Sequence, residues 1–241
     1  APGAHSESRH VTGIEVHRDR KIVICGDAEH EFRSIIICTG TESRKLGLKN
    51  EELLTGRGVS YCAHCDGSFF KGKTVVIAGG GNTALDDGVY LKELCAKVYI
   101  VHRRSEFRGN PVTVKRLERT PNVEFILESE ITALLGESEL QGVTVRNKKT
   151  GATKNIACRG LFVAVGRVPK NNIFLPYVRL DGNGYIETDD EMRTATDGIF
   201  AAGDCRRKKL RQLVTAASDG AVAATKALEY LEADLKSAVY S

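Results

Sequence analysis

The sequence predicts an α/β fold with parallel sheets, and three observations carry that prediction. Lys73 to Ala78 reads as a buried strand that passes directly into Gly79-Gly80-Gly81-Asn82-Thr83-Ala84. Ala84, Gly88 and Leu91 then recur at helical spacing, and a second apolar run, Lys97 to Val101, follows. Two further runs, Ser34 to Gly40 and Gly160 to Gly166, lack alternation, the pattern of strands covered on both faces.

The first of these stretches is a strand, a G-x-G-x-x-A turn and a helix from about Asn82 to Leu94. Glycines there let the backbone approach a pyrophosphate at a helix N-terminus, where free N–H groups and the helix dipole favour an anion. A glycine triplet alone is weak; the strand before it and the helix and strand after it make a nucleotide site. At the end of the second strand an acidic residue would bind the ribose of NAD. Here stand His102, Arg103, Arg104 and Arg108 instead. Such cations suit a 2′-phosphate, which arginine can bind bidentately, and favour NADP(H). The competing reading is a solvated basic turn.

Just before this unit lies Tyr61-Cys62-Ala63-His64-Cys65-Asp66-Gly67. A C-x-x-C pair can open and close a disulfide, and its outer thiol often has a lowered pKa, so that part of it is thiolate, the attacking species in exchange. Asp66 stands where it could carry a proton for the reduced pair. Half of a zinc site and a passive disulfide are the alternatives. Zinc requires four ligands, and no second Cys or Cys/His pair occurs at suitable spacing.

Composition agrees with an ordinary globular protein of one large or two smaller domains: 241 residues, 41% apolar and 27% charged. Basic residues exceed acidic ones by 35 − 31 = 4, which gives no ground for a nucleic-acid partner. No apolar run reaches the ~20 residues of a membrane span, and no signal-peptide core is visible near Ala1 to His10. The other cysteines, Cys25, Cys38, Cys95, Cys158 and Cys205, are scattered singly. One pair among lone thiols fits a reducing, cytoplasmic compartment.

In order, residues 1 to about 33 read as a small meander, including Gly13–His17 and Lys21–Cys25. Glu42 to Gly58 reads as a polar linker or crossing. Pro121 to Gly160 reads as an inserted β-meander with strands at Val123–Leu127, Gly142–Arg146 and Lys154–Cys158. Asp181 to Gly184 is a turn and Tyr185 to Thr188 a short strand. Gly198 to Asp204 is a strand ending in Gly-Asp, followed by Arg211-Gln212 and a small-residue helix, Thr215 to Leu231, which suits close packing on a planar cofactor. Arg206 to Lys209 is a basic run, expected in an exposed loop facing a partner.

The dithiol, the G-x-G-x-x-A turn, His-Arg-Arg-x-x-x-Arg and Gly-Asp…Arg-Gln stand in an order that resembles the low-molecular-weight, bacterial-type thioredoxin reductases. The resemblance spans about Ser34 to Leu231. It implies two Rossmann-like domains: an FAD domain from residues 1–43 and 168–241, and an NADPH domain, 44–167, carrying the dithiol. It further implies a cytoplasmic homodimer that passes electrons from NADPH through FAD to Cys62–Cys65 and on to thioredoxin. Cys65 would meet the flavin, Cys62 would attack thioredoxin, and Asp66 would be the acid/base. Gly203, Asp204, Arg211, Gln212 and Leu213 would contact FAD, with Thr39 and Gly40 on its diphosphate side. Members also open with a strand–glycine turn–helix that cradles the FAD diphosphate; none precedes Ser34, so the N-terminal part of the FAD domain is expected to be absent from this chain. Leu213 stands where members often carry Ala. The flavoprotein of alkyl hydroperoxide reductase is the alternative enzyme, disfavoured by Arg103 and Arg104. A non-catalytic nucleotide-binding fragment is the alternative from another class.

Overall fold

The computed structural model describes residues 5–17 and 20–239. The chain divides into two compact units: Ser43–Arg167 forms one, and residues up to Glu42 together with those from Val168 onward form the other.

The chain begins with an antiparallel meander, β1 (Gly13–Val16), β2 (Lys21–Cys25) and β3 (Ala28–Phe32), followed by β4 (Ile35–Ile37) and a crossing, β5 (Glu42–Ser43). Next come α1 (Glu51–Leu54), β6 (Val59–Ser60), α2 (Ala63–Asp66), β7 (Thr74–Gly79), α3 (Asn82–Leu94), β8 (Lys97–Val101), α4 (Pro111–Glu118) and β9 (Val123–Ile126). A second meander, β10 (Ser129–Leu135), β11 (Gly142–Asn147) and β12 (Thr153–Ala157), precedes β13 (Gly160–Ala164). The chain returns through β14 (Arg167–Val168) to β15 (Ile199–Ala201) and α5 (Leu213–Val239).

In the Ser43–Arg167 unit the five strands β6-β13-β7-β8-β9 form one sheet, parallel throughout. Successive residues of β7 alternate between two cores. Val75 and Ile77 pack with Ala84, Leu85 and Leu91 of α3 and Leu117 of α4. Val76 and Ala78 pack with Leu134, Val143 and Ile156 of the meander. From Val75 onward the strand is covered on both faces and carries no polar side chain, which is why its sequence there is a continuous apolar run. Each fully buried leucine contributes about 1.5–3 kcal/mol.

Several expectations need correction. Val123–Ile126 pairs parallel with β8 as the sheet's fifth strand, so the meander is β10–β12, and Ser129–Leu135 supplies its first strand. Tyr185–Thr188 forms no strand; Ile186 alone makes single-residue bridges, to Leu180 and Arg206. The run from Ser34 yields only a three-residue strand. Its partner among the described residues is β15, Ile37 is buried with Ile14 and Ile199, and Ile36 on the other face is 37% exposed.

Glu42–Gly58 is more than a linker. Glu51, 2% exposed, accepts hydrogen bonds from the backbone N–H groups of Leu46 (2.9 Å), Gly47 (2.7 Å) and Leu48 (3.2 Å) and from the Tyr61 hydroxyl (2.8 Å). Burial and the neighbouring Glu51 carboxylate push the Tyr61 phenol up to about 12, so it remains a donor. The segment just before Cys62 is thereby tied to a buried carboxylate. Glu51→Ala would strand four donors; the expected loss is about 3 kcal/mol or more of unfolding free energy, readable by urea titration, whereas a loss under about 0.5 kcal/mol would show that water replaces the carboxylate at little cost.

Asp87 of α3, 9% exposed, is raised from 3.8 to about 6 by burial, opposed by His64 and reinforced by Asp86. The unfolded chain therefore releases this proton first, and folded stability falls as pH rises from about 4 to about 6. Asp87→Asn should match the parent at pH 3.5 and exceed it by about 2 kcal/mol at pH 7.5; equal stability at both pH values would count against a strained carboxylate.

Candidate active site

In the Ser43–Arg167 unit the candidate residues gather at the carboxyl ends of parallel strands. β6 ends at Ser60, directly before the dithiol turn. Cys62 and Cys65 are joined by a disulfide with Cα atoms 5.3 Å apart. Cys62 is the N-cap of α2, and its Sγ accepts the Cys65 N–H at 3.2 Å. Ser60, absent from the sequence reading, organises the turn. Its Oγ accepts the Cys62 N–H (3.1 Å) and lies 2.7 Å from Asp66 Oδ2, to which it donates. Asp66 is thus beside the dithiol, held by a hydroxyl. His64, between the cysteines, packs its ring on Tyr90 of α3 at 4.4 Å between centroids. Among the described residues no group of three His, Cys, Asp or Glu could hold a metal.

The glycine turn lies two strands away, at the end of β7. Its three glycines do different work. A side-chain carbon on Gly79 would lie 2.4 Å from the Ala164 carbonyl oxygen, and one on Gly80 would lie 2.2 Å from the His102 ring. Gly81 faces open space as the N-cap of α3, with no side chain capping the helix. The first-turn N–H groups of Asn82, Thr83 and Ala84 lack intrahelical partners by helix geometry. That arrangement fits a phosphate. The Asn82 side chain is engaged elsewhere, accepting the Asn110 N–H at 2.8 Å, and Ala84 is buried against the sheet.

His102 does not reach outward. It is 6% exposed, stacks on Phe107 and bonds the Glu106 carbonyl oxygen through Nε2 at 3.1 Å. Burial, with Arg108, Arg104 and Arg103 adding, holds its pKa below the ordinary value, so the ring is neutral near pH 7. Its role is to wall the glycine turn. The loop it begins is fixed to that turn by Arg108 N–H donating to the Gly80 carbonyl at 2.8 Å. The Arg103, Arg104 and Arg108 side chains are exposed beyond it.

In the other unit Thr39 and Gly40 follow β4, and Gly203 and Asp204 follow β15, its parallel partner. Asn171, 1% exposed and missed by sequence reasoning, joins the two. Its Oδ1 accepts the Thr39 hydroxyl at 3.3 Å and its Nδ2 donates to the Cys205 carbonyl at 2.8 Å. Asp204 Oδ1 is buried with no hydrogen-bond partner. An orphaned acceptor fits a polyhydroxylated ligand, because leaving it unpaired costs about 1–3 kcal/mol. Arg211 is turned inward over the Tyr185 ring (4.0 Å), donating to the Asp204 carbonyl at 3.4 Å. The Gln212 N–H is held by Thr215 Oγ1 at the start of α5, where Leu213 is 88% exposed.

The remaining cysteines are free thiols. Burial pushes Cys95 up to about 11 and Cys158 up to about 12, leaving them protonated and unreactive.

Residues 5–220 match the family of pyridine nucleotide-disulphide oxidoreductases. The chain is 42% identical to a thioredoxin reductase of Peptoclostridium acidaminophilum, across 92% of this chain and 73% of that protein. It is 40% identical to one of Treponema pallidum, across 95% of this chain and 75% of the relative. Among solved structures it resembles Lactococcus lactis thioredoxin reductase with a TM-score of 0.80 and 40% identity, covering 92% of this chain and 74% of that one. The T. acidophilum thioredoxin reductase gives 0.78 at 31% identity, over 93% and 73% of the two chains. The likeness runs along almost the whole sequence, and the chain belongs to the pyridine nucleotide-disulphide oxidoreductase family, among its thioredoxin reductases.

Proposed function

We propose that the chain is the catalytic polypeptide of a thioredoxin reductase, carrying electrons from NADPH through FAD to Cys62–Cys65 and then to a thioredoxin. The observation that carries this reading is the disulfide at the end of β6, two strands from the glycine turn at the end of β7 in the same parallel sheet. In this reading the Ser43–Arg167 unit is the NADPH domain and the other unit the FAD domain. A homodimer belongs to the reading through the family resemblance. Five free cysteines beside one disulfide support a reducing, cytoplasmic compartment.

When bound, the flavin supplies the relay between a two-electron hydride donor and a disulfide. The chain's own residues do the rest. Two electrons and two protons convert Cys62–Cys65 to the dithiol. The Cys65 N–H is directed at Cys62 Sγ, and Cys62 is the attacking thiolate in this reading. That thiolate attacks one sulfur of the partner's disulfide, forming a mixed disulfide and releasing the other sulfur as thiolate. Cys65 then attacks Cys62 Sγ, restoring the Cys62–Cys65 bond and freeing the partner as a dithiol. Asp66, oriented by Ser60, takes and returns the Cys65 proton. On the nucleotide side, Gly81 and the first-turn N–H groups of α3 hold the pyrophosphate, and Arg103 and Arg104, with Arg108, hold the 2′-phosphate. In the FAD domain Asp204 would accept from a hydroxyl of the cofactor, and Gly203, Arg211, Gln212 and Leu213 would contact it, with Thr39 and Gly40 on its diphosphate side.

Two experiments test the reading in the flavin-carrying protein. Cys65→Ser should leave Cys62 free to trap thioredoxin as a mixed disulfide, seen as a reductant-sensitive band of the summed mass. Cys62→Ser should trap none, and equal trapping by both would sink the division of roles.

The second concerns the nucleotide. Each charged hydrogen bond to the 2′-phosphate contributes about 1.5–3 kcal/mol. Arg103→Ala/Arg104→Ala should therefore lower kcat/KM for NADPH about a hundredfold while leaving that for NADH nearly unchanged. Equal loss for both nucleotides would mean that the arginines do not read the phosphate.

A further inference from the structure

The basic run Arg206 to Lys209, expected from sequence in an exposed, partner-facing loop, is turned half inward. Arg207 is exposed and pairs with Glu187, but the Arg206 and Lys208 side chains are only 11% and 9% exposed. Both converge on Asp219 of α5, itself 7% exposed. Asp219 Oδ2 accepts from Lys208 Nζ at 2.6 Å, from Arg206 at 3.4 Å and from the Gly203 N–H at 3.0 Å. Burial alone would raise this carboxyl. The hydrogen bonds from Lys208 and Gly203 and the charges of Arg206 and Lys208 outweigh it and hold the group below the ordinary carboxylate value.

Gly203 is the left-handed residue (φ 77°) that turns the chain out of β15, and Asp204 follows it. Asp204 Oδ1 is buried and has no partner of its own. Nothing bonded to that oxygen fixes its direction; the turn before it must. We infer that Asp219 is a positioning residue for the flavin, gripping the Gly203 N–H so that Asp204 is presented to the cofactor, with Arg206 and Lys208 neutralising the buried carboxylate. The inference rests on the flavin reading above and extends it to a residue that does not touch the cofactor. The rest of the loop is braced to the same end. Arg206 Nε donates to Thr188 Oγ1 at 2.8 Å, and Arg211 donates to the Asp204 and Arg206 carbonyls.

The test compares Asp219→Ala, Asp219→Asn and Lys208→Met with the parent protein. It measures FAD dissociation constants, flavin circular dichroism, and hydrogen exchange of the Gly203 amide with and without FAD. Asp219→Ala should speed Gly203 exchange about tenfold or more and raise the FAD Kd about tenfold or more. Asp219→Asn keeps an acceptor for Gly203 and should recover most of both. Lys208→Met removes one charge but leaves the Gly203 bond; it should reduce stability while the FAD Kd stays within about threefold. Should Asp219→Ala fail to fold, Asp219→Ala/Lys208→Met removes the excess buried charge and replaces it. Unchanged Gly203 exchange without Asp219, or a Lys208→Met loss of FAD equal to that of Asp219→Ala, overturns the inference. If the parent binds no FAD, the flavin reading fails, while Gly203 exchange still decides whether Asp219 sets the turn.

Discussion

Parallel pairing of β6, β13, β7 and β8 is the constraint on which the chemistry depends. Leu161 stands opposite Val59 and Val76, Ala164 opposite Gly79, and Ala78 opposite Val101. In a parallel sheet all carboxyl ends lie on one edge, and ligands bind in the crevice beyond it. The dithiol turn, the glycine turn and the loop of Arg103 and Arg104 leave β6, β7 and β8 at that edge. The glycine turn and the arginine loop could not be moved to the other edge without inverting β7 or β8, strands buried in two apolar cores. The disulfide and the glycine turn are thus held a fixed number of strands apart by packing rather than by contacts of their own.

On that frame the site is tuned by close approach and by buried polar groups. Gly79 allows β7 to come within van der Waals reach of the Ala164 carbonyl, and Gly80 admits the His102 ring. A methyl group at Gly79 would press on the Ala164 backbone and one at Gly80 on the His102 ring, so two of the three glycines serve close packing and the third is open. Glu51 does comparable work beneath the dithiol, collecting three backbone donors and the Tyr61 hydroxyl. A buried carboxylate is tolerable only when its lone pairs are filled, and filling them fixes the chain around it.

How much of this was legible in the sequence follows from the range of the interactions. The bounds of α3 were legible, since an uncharged apolar strand, a glycine triplet and a helical stripe are local signals. So was the pairing of Cys62 with Cys65. The strand Ser129–Leu135 was not, because Glu130 and Thr132 interrupt its apolar pattern and a register shift between Ile131 and Ala133 breaks the alternation. The assignment of Val123–Ile126 to the parallel sheet was not legible either, since a four-residue strand carries no mark of its partner. Ser60, Glu51 and Asn171 escaped because their bonds run to backbone groups brought near by folding. The tilt of Ile36 to the surface is a fact about what covers β4, which its three isoleucines do not encode.

The two basic clusters show where sequence reasoning reaches its limit. His102-Arg103-Arg104 and Arg206-Arg207-Lys208-Lys209 look alike as strings of cations. In the first, the arginines stand exposed on a loop pinned by the Gly80 carbonyl and by a neutral, buried histidine, so their charge faces solvent. In the second, Arg206, extended after the Gly203–Cys205 turn, and Lys208 both turn inward and find Asp219 on α5. Desolvating two cations costs several kcal/mol each unless an anion meets them. Asp219 therefore decides the direction of the run from more than ten residues away. The first set of cations faces solvent and the second is buried beside a turn; the difference lies in the carboxylate that folding places opposite them.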